Sequence, residues 1–158
     1  MSFTGFSDNI PADATVANED FFPSVNVAGF QAEYRLPGEY RQEMLENRLR
    51  LAMIWANGQL NGWRLAQLAL GHADLDAVAA ADPGMDLGGA NKLELLYLRA
   101  VSCRAKAMLL ADYQTMMRKT DAQSDSKESE DVADRWYQMA AGAINEITGN
   151  PRIRVEAL

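Results

Sequence analysis

The stretch EYRQEMLENRLRLAMIWANGQLNGWRLAQLAL, residues 39–70, holds two Asn-Gly pairs, Asn57-Gly58 and Asn61-Gly62. Asn-Gly between apolar runs is a hairpin signal, because both residues tolerate positive φ. The flanks argue otherwise. Leu45, Leu49, Ala52, Ala56, Leu60 and Trp63 recur at steps of three and four, and no alternating strand pattern surrounds the pairs. The spacing predicts one amphipathic helix from Glu39 to about Leu70, in which each glycine costs roughly 1 kcal/mol relative to alanine. A kink or a close helix contact is expected at the pairs, rather than a full break.

Helical period continues on the C-terminal side. Gly71 stops the first long helix, and HADLDAVAAADPGMDLGGA (72–90) reads as a long connection with one short helical turn over Leu75–Ala80. Asn91 with Glu94 resembles a capping box, opening a helix over 92–118 whose stripe is Leu93, Leu96, Tyr97, Ala100, Cys103, Ala107 and Ala111. TDAQSDSKESED (120–131) reads as a solvated loop. A last helix over 127–148 carries Val132, Trp136, Met139, Ala140, Ala143 and Ile147; Gly149 closes it and Pro151 prevents continuation.

On the N-terminal side, Leu36-Pro37-Gly38 is a break, and a short helix over 27–35, capped by Ser24 or Asn26, carries Phe30 and Tyr34 on one face. Before it, Phe21, Phe22 and Pro23 read as the anchor where the incoming chain enters the core. Residues 1–20 are polar and acidic and are expected to form a mobile arm. The fold class is therefore all-α: a small antiparallel bundle of one short and three long helices (21–149), between an acidic arm (1–20) and an extended tail (150–158). The expected core includes Leu49, Trp55, Trp63, Leu96, Ala100, Cys103, Ala107, Trp136, Ala140 and Ile147. The small residues among them permit close helix approach.

Composition narrows function mainly by exclusion. The net charge is −7, with five acids and no base in 1–34 and four acids and no base in 72–91, while 35–71 and 92–120 are net basic. No basic footprint is dense enough to grip a duplex. No apolar run is long enough to span a membrane, and no signal peptide is expected at the start. One cysteine rules out an intrachain disulfide framework and suits a reducing compartment.

Catalytic chemistry is hard to assemble from these residues. His72 lies just past a helix end, where a capping or surface role outweighs that of a general base. Cys103 sits on an apolar stripe, as a structural thiol would. GMDLGGA lacks the lysine and preceding strand of a phosphate loop, and Asp74, Asp76, Asp82 and Asp86 are spaced too irregularly for a calcium loop, so they read as solvating charges. The tryptophans fall at helical spacing and read as core. No enzyme, cofactor or metal is expected.

The end of the chain, GNPRIRVEAL (149–158), breaks the helical period: Ile153 and Val155 alternate with Arg152, Arg154 and Glu156. A lone strand leaves its backbone groups unpaired, so Pro151 to Leu158 are expected to dock on another chain, with Ile153, Val155 and Leu158 as anchors and Arg152 and Arg154 as polar contacts. The alternative is a tail folded back on its own helices.

Phe21-Phe22-Pro23, AVSCRAKAMLLADY (100–113), Trp136 and ITGNPRIRV (147–155) resemble, in order and spacing, the head completion/stabilisation proteins of temperate contractile-tailed phages, the GpL family. The resemblance implies a head-to-tail connector at the neck of the virion, assembled in the host cytoplasm, as a ring of about twelve copies joined by heterologous contacts. It implies the portal protein, neighbouring copies and a tail terminator or tail-completion protein as partners, with DNA passing passively through the channel and no membrane. The competing reading is a small helical regulator or chaperone-like binder whose tail recognises one partner.

Overall fold

Three long apolar periods produce three long helices. The structure, a computed structural model, describes residues 10–117 and 123–150. Helices α2 (Gln42–Ala69), α4 (Lys92–Met117) and α5 (Gln123–Thr148) are joined by two short ones, α1 (Val27–Glu33) and α3 (Leu75–Ala80), so the protein is mostly helical. Two small antiparallel strand pairs add to this: β1 (Thr15–Val16) with β2 (Val25–Asn26), and β3 (Asp86–Leu87) with β4 (Ala90–Asn91).

Local chemistry sets the boundaries. The Asn26 side chain accepts from the Gly29 amide at 2.7 Å and caps α1, and Asp74 accepts from Ala77 at 2.8 Å to cap α3. Asn91 accepts from Leu93 and Glu94 at 2.9 and 3.2 Å, the expected cap of α4. Gly88 and Gly89 turn the second hairpin at φ +64° and +89°, a region that costs glycine nothing.

Helix α4 is the centre. Tyr97, Ala100, Val101, Ser102, Cys103, Ala105, Ala107 and Leu109 are all buried, well beyond the single stripe expected. Such a helix needs cover on several sides. Along its length, Tyr97, Arg104 and Asp112 meet Asn57, Trp55 and Arg48 of α2, while Arg104 and Lys106 meet Tyr137 and Trp136 of α5. Partner numbers fall as α4 numbers rise, so both neighbours run antiparallel to it. The α4–α5 contact is the most extensive, and both helices bury small residues: Ala100 and Ala107 on α4, Ala140 and Ala143 on α5.

Several expectations change. Residues 10–20 are held on the bundle: Val16 is buried, Val27 donates to the Ala14 carbonyl at 2.9 Å, and the Asn26 side chain donates to that of Ala12 at 2.8 Å. Their polar composition hid Ile10, Ala14 and Val16, which pack on the core, and a set of backbone partners. Helix α5 starts at Gln123, inside the stretch read as loop, where the sequence carries no apolar period to mark a helix. Among the described side chains of α5, Ala133, Ala140, Ala143, Ile144 and Ile147 are buried, whereas Val132 is exposed. Of the expected core, Leu49, Ala100, Cys103, Ala107, Ala140 and Ile147 are buried, while Trp55, Trp63, Leu96 and Trp136 are half-buried.

The Asn-Gly pairs neither break α2 nor bring another helix close. A Cβ at Gly58 or Gly62 would meet nothing within 4 Å. Gly58→Ala and Gly62→Ala should therefore each stabilise the monomer by about 0.5–1 kcal/mol, read as a higher denaturation midpoint at unchanged slope.

Candidate interaction surfaces

The joint between the N-terminal segment and the bundle is built on an aromatic cluster and two side-chain amides. Phe22 stacks on Tyr97 with ring centroids 4.7 Å apart and planes 10° from parallel, and Phe21 meets Phe22 and Trp63 edge-on. The expected anchor is thus a buried aromatic cluster, with Pro23 half-buried beside it. Above the stack, Asn18 Nδ2 donates to the Tyr97 hydroxyl at 2.7 Å, Tyr97 donates to Asn57 Oδ1 at 2.6 Å, and Asn57 Nδ2 donates to Asn18 Oδ1 at 2.9 Å. The three groups close a ring of hydrogen bonds, and Asn18 Nδ2 also reaches the Pro23 carbonyl at 2.9 Å. Asn57, met first as a possible turn residue, is a mid-helix partner for the strap. A lone asparagine at residue 18 carries no sequence signal of such a role.

Cations seated on aromatic faces tie the helices at the rim. The Arg104 guanidinium lies between Trp55 of α2 and Tyr137 of α5, 4.6 and 4.7 Å from the two ring centres. Lys106 sits 4.3 Å from the Trp136 ring and donates to the Tyr34 carbonyl at 2.7 Å. Trp55 and Trp136 are half-buried for this reason: each receives a charge on one face at the rim of the bundle. Arg48 and Asp112 form an ion pair at 2.6 Å.

Groups weighed above for chemistry have structural places. The His72 amide donates to the Gln67 carbonyl at 3.1 Å, at the end of α2. Burial pushes the Cys103 thiol above its ordinary range, keeping it protonated. Asp82 and Asp86 accept from Gly84 and Gly89 amides at 2.9 and 2.7 Å, and Asp76 accepts from Asn91 at 2.9 Å, so with Asp74 these acids shape the connection rather than merely solvate it. Among the described residues no group of three or more His, Cys, Asp or Glu could hold a metal ion, and no helix is long and apolar enough to cross a membrane.

The outer surface of α2 is the feature that sequence reading missed. Leu51, Ile54, Leu65 and Leu68 are exposed along it, although the same helix buries Leu45, Leu49, Met53 and Leu60 on its inner side. Beside this stripe, Ala17, Asn18 and Glu19 of the strap and Arg50, Asn57 and Arg64 of α2 line an open cleft of about 540 Å³. The expected docking tail, Pro151 to Leu158, lies outside the described residues.

Burial also holds the Tyr34 and Tyr97 phenols protonated far above their ordinary range, and raises Tyr40. On unfolding at high pH these groups release protons that the native state keeps, so stability is retained below about pH 10 and falls above it. Lys106, lowered by burial, acts with the opposite sign over the range below its unfolded value and offsets part of the loss. The denaturation midpoint should hold steady to about pH 9 and drop beyond pH 10. Tyr97→Phe should cost about 1–3 kcal/mol by stranding Asn18 and Asn57, with faster proteolysis in residues 10–20 than at the α4–α5 contact.

The chain matches the family model of phage head completion protein (GPL) over residues 16–158. Comparison with curated proteins and with solved structures finds no match.

Proposed function

This chain belongs to the phage head completion protein (GPL) family and serves as a head-to-tail connector; we propose that it does so as a helical adaptor in a ring of about twelve copies beneath the portal. The family match over nearly the whole described chain carries this reading. The bundle supports it in a physical sense: its polar groups are spent on caps, turns and inter-helix staples, which suits a rigid spacer rather than a catalyst.

In the assembled neck each copy presents one face to a neighbour and a different face to the next, the arrangement that closes a ring. The C-terminal residues Ile153, Val155 and Leu158 anchor on the portal or on a neighbouring copy, with Arg152 and Arg154 as polar contacts. Asn150, the last described residue, is exposed and lines an open groove with Arg99 and Glu146 past the end of α5. Eight residues extended from that point reach roughly 27 Å, enough to leave the parent molecule. A tail terminator or tail-completion protein docks on the opposite side of the ring. DNA passes through without tight binding, because a chain of net charge −7 offers few phosphate contacts.

Removing residues 151–158 should leave a folded helical protein, with unchanged circular dichroism, that no longer cosediments with purified portal rings. An unfolded product would instead show that the tail completes its own bundle. Portal binding retained by the truncated chain would place the contact elsewhere.

A further inference from the structure

Helix α2 is apolar on two opposite sides, and only one of them is covered. Ile54 and Leu65 expose 69 % and 52 % of their surface, Leu51 and Leu68 expose 42 % and 39 %. With Gly58 and Asn61 they fall at 51, 54, 58, 61, 65 and 68, alternating steps of three and four, the seam spacing of two packed helices. Gly58 stands within this stripe and Gly62 at its edge. A Cβ at either would meet nothing within 4 Å, so the fold of the monomer gains nothing from their being glycine. Each costs the helix roughly 1 kcal/mol. What they provide is outward: a length of bare backbone that another helix can approach closely.

The occupant follows from the order of the residues. The stripe has a similar order from either end, large apolar residues outside and two small or polar ones at the middle: about a centre between Gln59 and Leu60, Leu51 mirrors Leu68, Ile54 mirrors Leu65 and Gly58 mirrors Asn61. An isologous contact requires that residue i meet j while j meets i. Two copies of α2 laid antiparallel about that centre place leucine on leucine at the ends, isoleucine on leucine inside them, and the bare backbone of Gly58 opposite Asn61 at the crossing. Arg50 and Arg64 flank the stripe on the side of the cleft that also holds Glu19.

We propose that the free protein forms a reversible two-fold dimer through the outer face of α2, crossing at Gly58 with Gly62 at the edge of the contact. The stripe is about 26 Å long, and a contact of that length buries on the order of 1,000 Å² in total, the low end for a specific interface. The dimer is accordingly weak, forming in the micromolar range. The inference concerns the free chain and does not rest on the ring or on the portal contact.

Sedimentation of the full-length protein from about micromolar to millimolar concentration tests it. The expected result is a monomer–dimer equilibrium with nothing larger. Ile54→Glu with Leu65→Glu, at exposed positions, should weaken it at least tenfold without altering circular dichroism. Gly58→Ala should weaken it several-fold while raising the denaturation midpoint, two opposite effects that a folding defect would not give. Leu51→Cys with Leu68→Cys should cross-link copies into covalent dimers under mild oxidation, Cys103 being buried, while Leu51→Cys alone should not. A monomer at every concentration, rings or open chains, or cross-linking by Leu51→Cys alone would overturn the proposal.

Discussion

Covering α4 on nearly every side is the constraint from which the rest of this structure follows. Between Tyr97 and Leu109 the helix offers no solvent stripe wide enough to leave uncovered, and its alanines, cysteine and serine are small. Small side chains add little area each, so cohesion depends on how closely the neighbours approach. Helices α2 and α5 take two sides, and the N-terminal segment closes over Tyr97 with Phe22 as its lid. A substitution that enlarges Ala100 or Ala107 has nowhere to expand, because both are fully buried at helix contacts.

Polar groups follow the same plan. Where the N-terminal segment crosses α2 and α4, Asn18, Asn57 and Tyr97 satisfy one another, which lets a phenol be buried without an orphaned hydroxyl. At the rim, Arg104 and Lys106 lie on tryptophan and tyrosine faces, so charge is kept near water while the aromatic bodies pack. These staples join α2, α4 and α5 at residues of one level, making the bundle stiff across its axis. Stiffness of that kind suits a part that must hold its shape between a capsid and a tail.

Much of this was legible in the sequence, for reasons that can be named. Helix α2 was recognised through its inner stripe, and α3 through the run Leu75–Ala80, because one buried face imposes a period that composition does not blur. The caps at Asn26 and Asn91 were legible because capping chemistry is local. Residues 10–20 were not. Their attachment rests on backbone pairing and on amides at residues 18 and 57, contacts across long sequence separations that leave no pattern in either segment. The centrality of α4 was also hidden. A helix buried on several sides loses its period, and only the strongest stripe, Leu93 to Ala111, remained visible. The outer stripe of α2 was present throughout but masked by the inner one, since a helix with two apolar faces looks simply apolar.

That second face raises a problem of control. Contacts that join unlike faces propagate, and a subunit able to add to a ring is also able to add to an open chain. An exposed leucine and isoleucine stripe worsens this, because apolar patches associate with little regard for geometry. A face that matches itself answers the problem. Two copies joined at α2 cover each other's stripe, and the pair offers that surface to no third molecule. Gly58 and Gly62 fit such an arrangement better than alanine would. They weaken the isolated helix slightly, and they allow a contact close enough to be specific while too small to be permanent. The closed pair then opens by dilution or by competition, and the helix face stays covered until it does.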